Sequence, residues 1–382
     1  MLTPRFSLYL DGLRAFCAVL VLFSHWAYQR FTGGDYDWIR DHDLGGEAVT
    51  VFFVMSGLVI AATADRRRDE GLSLFAADRL SRMWSVAIPA IALTFLLDPI
   101  GAALAPEVYK GFYQPDQPVQ RIIGALTFTN QSLGMSLRPG SNGPWWSLSY
   151  EVMYYALFAC AVFLRGSIRF LSIGAIALFA GWKILLLMPS WLLGVALWKA
   201  VRSGLPAQQS RAFLVSCLAA PVLFYVMAHA TGLPDTLIFW THSLLGDRIW
   251  ANIGFSDNFV WANGLAMLVT IHLYGVAGIL MSQQVVSQKA PAKPNTGERL
   301  IRWLAGGSFA LYLFHYPVLQ FLGAVIPGET TDLWRQGLLL VTTFAIVMLL
   351  ADVTERRRGG LRRLLRGIAQ PSPALTKPAA ET

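Results

Sequence analysis

Four groups of ionisable residues lie inside or at the mouths of long apolar stretches of this sequence, where each is costly unless it is paired or reaches water. They are Arg14 with His25, Arg79 with Arg82, Glu151, and His315. Arg14 and His25 are separated by ten residues, which on an α-helix returns them to within about 20° of one face, roughly 16 Å apart along the axis. A guanidinium at the mouth of such a stripe suits phosphates, which it pairs in bidentate geometry. A desolvated, neutral imidazole half-way down suits proton abstraction. Asp11 stands about one turn before Arg14. The pair has a plainer reading as a charge anchor and an interhelical hydrogen-bonding residue, and the two residues alone do not separate these readings.

Arg79 and Arg82 occupy neighbouring turns of a helix about to enter an apolar stretch. They fit a second phosphate clamp or an anchor for lipid headgroups. Glu151 follows Pro144 and an aromatic run of Trp145, Trp146, Tyr150, Tyr154 and Tyr155, a collar that suits an interfacial belt or a sugar-stacking surface. A carboxylate below such a belt must pair or protonate. His315 stands two residues before Pro317, and a proline inside a helix frees a carbonyl that a histidine could satisfy.

The elements that must position these residues are membrane helices. The chain is 55% hydrophobic and only 14% charged, against roughly 25% charged for soluble domains. Apolar runs of about 18 to 25 residues recur along it, each long enough to cross hydrocarbon. The pattern predicts an all-α, polytopic bundle of about ten spans at 13–31, 45–64, 84–105, 145–164, 168–188, 189–200, 212–231, 259–282, 304–325 and 333–352, the sixth short. The first apolar run has no cleavage pattern behind it and is read as retained. Cys17, Cys160 and Cys217 sit in apolar runs without metal or redox spacing.

With both termini in the cytoplasm, most of the 31 Lys and Arg fall on the inner side, including Arg5, the arginines of 66–82, Lys289, Lys293 and those after 352. That bias orients the protein and accounts for its net charge of +8 without nucleic acid. The outer segments are then 32–44, a long loop at 106–144, and 232–258, the last a loop or an interfacial helix. Residues 1–355 form the membrane domain. Residues 356–382 form a tail whose basic amphipathic part suits the inner leaflet and whose end, 371–382, reads as disordered. A permease using buried Arg, His and Glu as a proton relay is the rival class, although no internal repeat is visible.

Five segments taken together resemble the acyltransferase family 3 membrane proteins. They are Leu10-Asp11-Gly12-Leu13-Arg14-Ala15 followed by His25; Val51 to Gly57; Phe75 to Arg79 with Arg82 and Pro89; Trp146-Ser147-Leu148-Ser149-Tyr150-Glu151; and Tyr312-Leu313-Phe314-His315-Tyr316-Pro317. The resemblance implies a bacterial inner-membrane O-acyltransferase of the type without a fused hydrolase-like domain. Its donor would be an acyl-CoA, acetyl-CoA by expectation, with no tightly bound cofactor and no metal. Its acceptor would be a carbohydrate or glycolipid. It further implies His25 and Glu151 as catalytic, Arg14, Arg79 and Arg82 as donor-binding, Trp146 and Tyr150 as acceptor-binding, and Asp11, Ser147, Tyr312 and His315 in support. His25 would act as general base or as a transient acyl carrier. The resemblance is looser at Glu47 to Thr50 and carries no role there.

Overall fold

The computed structural model describes residues 2–286 and 294–370, without the side chains of 284–286. Lys289 and Lys293 of the expected inner segment, and the tail end 371–382, lie outside the described residues. The described chain is helical, with no strand. Its ten longest helices fall where ten spans are expected: α1 Pro4–Trp26, α2 Leu44–Arg66, α3 Gly71–Leu104, α4 Trp146–Phe163, α5 Gly166–Ala180, α6 Met188–Arg202, α7 Arg211–Ala230, α8 Phe259–Val286, α9 Ser308–Val325 and α10 Leu333–Val353. Seven of them, all but α4, α5 and α6, are long and apolar enough to cross a membrane. The chain is a multi-pass membrane protein.

The boundaries move where caps outweigh hydropathy. α1 starts at Pro4, with Thr3 capping Phe6 N, so Asp11 and Arg14 are helical although the apolar run begins after them. It stops at Trp26 and hands over to a short helix, Gln29–Thr32. α3 likewise begins a full three turns before its apolar stretch. Gly181, at φ 82°, ends the expected fifth span early, and Gly306 and Gly307 divide the ninth into Thr296–Ala305 and α9. The outer segment 232–258 does contain a helix, Leu233–Leu245.

α9 and α2 are the most enclosed spans, whereas α7 lies at the periphery. α9 packs on α1, α3 and α10, and α2 packs on α1, α6 and α8. α2 and α6 meet backbone to backbone. A Cβ on Gly57 would overlap Trp191 O, and one on Gly194 would overlap Val54 O. Only glycine permits that approach, which brings Trp191 Nε1 within 3.2 Å of Ser56 Oγ.

Buried ionic groups fasten the ends. Glu47 accepts bonds from Tyr225 OH (2.6 Å), Trp261 Nε1 (2.6 Å) and His229 Nε2 (2.9 Å), tying α2 to α7 and α8. Glu355 Oε2 accepts from Phe309 N and Ala310 N at 3.1 and 3.0 Å, satisfying two free donors at the start of α9. The loop 106–144 is held by Asp98, which takes Ser141 N and Oγ, and by Arg121, which bonds Asp116, Gln114 Oε1 and Arg138 O. The Arg121 bond holds the Asp116 carboxyl below its ordinary pKa. The tail contains a further helix, α11 (Gly359–Ala369), packed on α3. Arg362 bonds Asp78 through Nε and Nη2 at 2.8 and 2.9 Å, Arg67 also pairs with Asp78, and Arg366 pairs with Glu70 and Asp78.

The close α2–α6 crossing predicts that Gly57→Val forces the helices apart. Folding stability should fall by about 1–3 kcal/mol, read as a lower midpoint of thermal unfolding in detergent, while Gly174→Ala, at a glycine with open space around it, should leave it unmoved.

Candidate active site

α1, α2, α3, α4 and α9 converge on one cavity of about 80 Å³. Arg14 comes from α1, Arg79 and Arg82 from α3, Ser56 from α2, Ser147, Glu151 and Tyr155 from α4, and Ser308 and Tyr312 from α9. Arg14 and the Arg79–Arg82 pair, distant in sequence, thus share one chamber. Arg14 lies 3.9 Å from Asp11, which Arg302 approaches to 3.7 Å. Arg79 and Arg82 have no carboxylate within 4 Å among the described residues, and Arg79 Nε is buried without a partner.

Arg79 and Arg82 also line a second space, a vestibule of about 550 Å³. Arg66, Arg67, Arg358 and Arg362 complete its basic wall, against Glu70 and Asp78. The two spaces therefore lie side by side and share the paired arginines as lining.

Beyond the arginines the chamber is walled by Val49, Phe52, Phe53, Val59 and Leu148 and ends in two hydroxyl networks. In one, Ser56 Oγ donates to Glu151 Oε1 at 2.6 Å and Tyr155 OH donates to the same oxygen. In the other, Tyr312 OH donates to Pro144 O at 3.0 Å and accepts from Ser147 at 2.7 Å. Glu151 is thereby paired, as a carboxylate in an apolar setting must be.

His25 does not line the chamber. It meets His315 instead, with His315 Nε2 3.1 Å from His25 Nδ1 and ring centroids 5.0 Å apart. Each ring also contacts a carbonyl one turn back on its own helix. His25 Nδ1 is 2.8 Å from Val21 O and His315 Nδ1 is 2.7 Å from Leu311 O. A carbonyl only accepts, so both Nδ1 atoms carry protons. His315 Nε2 then accepts from His25, and His25 Nε2 keeps its lone pair. Tyr312, one turn before His315, stands between this dyad and the chamber.

His315 does not fill the ladder gap left by Pro317. The carbonyl freed by that proline is Leu313 O, and Asn142 Nδ2 takes it at 2.9 Å. The aromatic collar divides as well. Trp146 stacks on Phe255 at 4.9 Å and lines a polar pocket with Gln114, Asn130 and Arg138. Tyr150 is fully buried behind it, with its hydroxyl 3.1 Å from Ser256 Oγ.

A family model described as an acyltransferase domain matches residues 7–352. The chain belongs to acyltransferase family 3. No curated protein and no solved structure matches it. The matched span takes in every element of the chamber and both histidines of the dyad. In this family 3 protein Ser56, Tyr155 and the His25–His315 contact carry no obvious signal in isolation. Ser56 lies inside the quoted second-helix segment, and its neighbour Gly57 is the residue that lets α6 approach it.

The dyad predicts a positioning role for His315. In His315→Ala the His25 ring loses one of its two anchors, and acyl transfer should fall by about a hundred-fold, the scale of a ~1 Å misplacement. Single-turnover assays on protein with an unchanged unfolding midpoint would check this, and a wild-type rate would remove His315 from the chemistry.

Proposed function

We propose that the protein is an O-acyltransferase of the bacterial inner membrane that moves an acetyl group from cytoplasmic acetyl-CoA to a hydroxyl of a cell-surface or exported carbohydrate. The observation that carries this reading is the chamber, lined by three arginines together with apolar and hydroxyl groups, beside a basic vestibule that shares Arg79 and Arg82 with it. Coenzyme A has the matching shape: several phosphates at one end and a thin, uncharged arm ending in the thioester. Arg14, Arg79 and Arg82 take the phosphates, and the arm extends past Phe52 and Val59 toward Tyr312. The most basic surface faces the cytoplasm, in keeping with the distribution of Lys and Arg.

His25 acts as the general base through Nε2. It takes the proton of the acceptor hydroxyl as that oxygen attacks the thioester carbonyl, the carbon–sulfur bond breaks, and the protonated imidazole returns the proton to the departing thiolate. The His315 contact and Val21 O hold the ring so that this lone pair is the one presented. Ser56, Glu151 and Tyr155 orient the donor arm or the acceptor hydroxyl. The thioester and the imidazole meet when Tyr312 gives way between them. Membership of an acyltransferase family weighs against the permease, since transport alone makes no ester.

The first test is calorimetric binding of acetyl-CoA to the protein in lipid nanodiscs. Arg14→Ala and Arg79→Ala should each weaken binding by about ten-fold or more, the scale of a charge-assisted hydrogen bond. No binding to folded wild-type protein would overturn the donor assignment. His25→Ala should keep donor affinity while losing about 10²- to 10⁴-fold in transfer rate. Initial-rate plots should intersect, and parallel lines would instead make His25 an acyl carrier. Single cysteines placed in 106–144 should label from the periplasm, and labelling only from the cytoplasm would invert the topology.

A further inference from the structure

A second group of arginines surrounds the dyad at the end of α1 opposite Arg14. Arg30 lies on the short helix Gln29–Thr32, Arg40 on the short helix Asp37–Asp41, and Arg138 in the loop 106–144. Arg30 and Arg40 stack on the same ring, Tyr28, with guanidinium carbons 4.1 and 3.7 Å from its centroid. Arg30 also sits 3.5 Å over Phe112, whose carbonyl accepts from Arg138 Nη1 at 3.1 Å. Tyr28 and Tyr316 both pack on His25, with ring centroids 5.9 and 5.1 Å away, and Tyr316 OH accepts from Arg30 Nη2 at 2.9 Å. Arg30 and Arg40 are therefore each about one side chain from the imidazole, and Arg138 follows behind Phe112.

None of the three has a carboxylate within 4 Å among the described residues. Their protein partners are neutral oxygens: Gln320 Oε1 and Tyr316 OH for Arg30, Ser24 O for Arg40, and Phe112 O for Arg138. Three of the acidic residues nearby are engaged elsewhere. Asp35 accepts from Gln336, Asp37 from Gln29, and Asp43 from Gly46 N and Asn258. Arg30 Nη1, Arg40 Nε and Nη2, and Arg138 Nε and Nη2 donate to no protein group among the described residues. Stacking fixes each guanidinium plane and leaves its edge free to donate. Three cations held together without a counter-charge repel, and a bound anion relieves that repulsion.

Arg138 is itself built in, because Arg121 clamps its carbonyl at 2.8 Å. It also lines the polar pocket that contains Trp146, Asn130 and Gln131. That pocket offers an aromatic face and amide groups of the kind that bind sugars, next to a free guanidinium.

We propose that Arg30, Arg40 and Arg138 form an oxyanion subsite for the acceptor, so that the protein acts on a carbohydrate carrying a carboxylate or phosphate close to the hydroxyl presented to His25. This rests on the acyl-transfer reading and adds the chemical class of acceptor to it. The anionic group docks on the free guanidinium edges, the sugar ring lies toward Trp146, and the neighbouring hydroxyl reaches His25 Nε2. Neutral glycans lack the docking group and are poor acceptors.

The test uses the full chain in lipid nanodiscs with three acceptors of equal length: an oligomer of glucuronic acid, the matching glucose oligomer, and that glucose oligomer bearing a terminal phosphate. Calorimetric affinity and transfer of labelled acetyl from acetyl-CoA are read separately. One or both charged oligomers should bind about ten-fold or more tighter than the neutral one, and the preferred one separates a carboxylate from a phosphate subsite. Arg40→Gln and Arg138→Gln should each erase most of that preference, and Arg40→Lys should restore part of it. Arg30→Gln is the weaker variant, because Arg30 also holds Tyr316 and Gln320. Equal affinity for charged and neutral oligomers, or no binding of any, overturns the subsite. Selective binding with no acetyl transferred leaves the subsite standing and overturns the donor reading.

Discussion

A guanidinium inside a helical bundle is tolerable only where an acid, water or an anion reaches it. Among the described residues, Arg79 has a buried Nε with no partner, and neither it nor Arg82 has a carboxylate within 4 Å. The arrangement of α2, α3 and the tail answers that constraint. The vestibule lies between them at the arginines, while α2 and α6 close completely through Gly57 and Gly194. The same closure fixes Ser56, through Trp191, against Glu151. Glu355 then pins the start of α9, so that Ser308 and Phe309 form a firm wall instead of a frayed end.

Polar groups in this protein are divided between those already satisfied and those left with open valences. Glu47, Asp78, Asp98 and Glu355 each hold several donors and act as fasteners. Asn142 serves the carbonyl freed by Pro317, which leaves α9 continuous and His315 free to face His25. Arginines with open donors stand both at the chamber and around the dyad, and Tyr312, which lines the chamber and packs on His315, lies between the two.

The membrane class and the places of the ten long helices were legible in the sequence, because long apolar runs have few other uses. Arg14, Arg79 and Arg82 were legible for the opposite reason, as charges where hydropathy disfavours them, and the cavity gathers all three. The dyad was not legible. His25 and His315 are 290 residues apart, and no local pattern reports a contact across a bundle. The outer arginines were hidden by a boundary. Hydropathy extended the first span through Phe31, which made Arg30 look like the end of a helix, whereas α1 stops at Trp26 and turns Arg30 back toward Tyr316. The tail was legible as basic and amphipathic, but its attachment to Asp78 depends on an acid nearly three hundred residues earlier.

The hydrogen-bond direction within the histidine pair sets what a proton can do there. The single His25 Nδ1 hydrogen is shared between Val21 O and His315 Nε2, and the Nδ1 hydrogen of His315 ends on Leu311 O, a carbonyl with no hydrogen of its own to hand on. The chain is a cul-de-sac: a proton taken up at His25 Nε2 has no onward conductor and leaves by the way it entered. Two imidazoles can thus sit inside a membrane bundle without forming a proton wire through it.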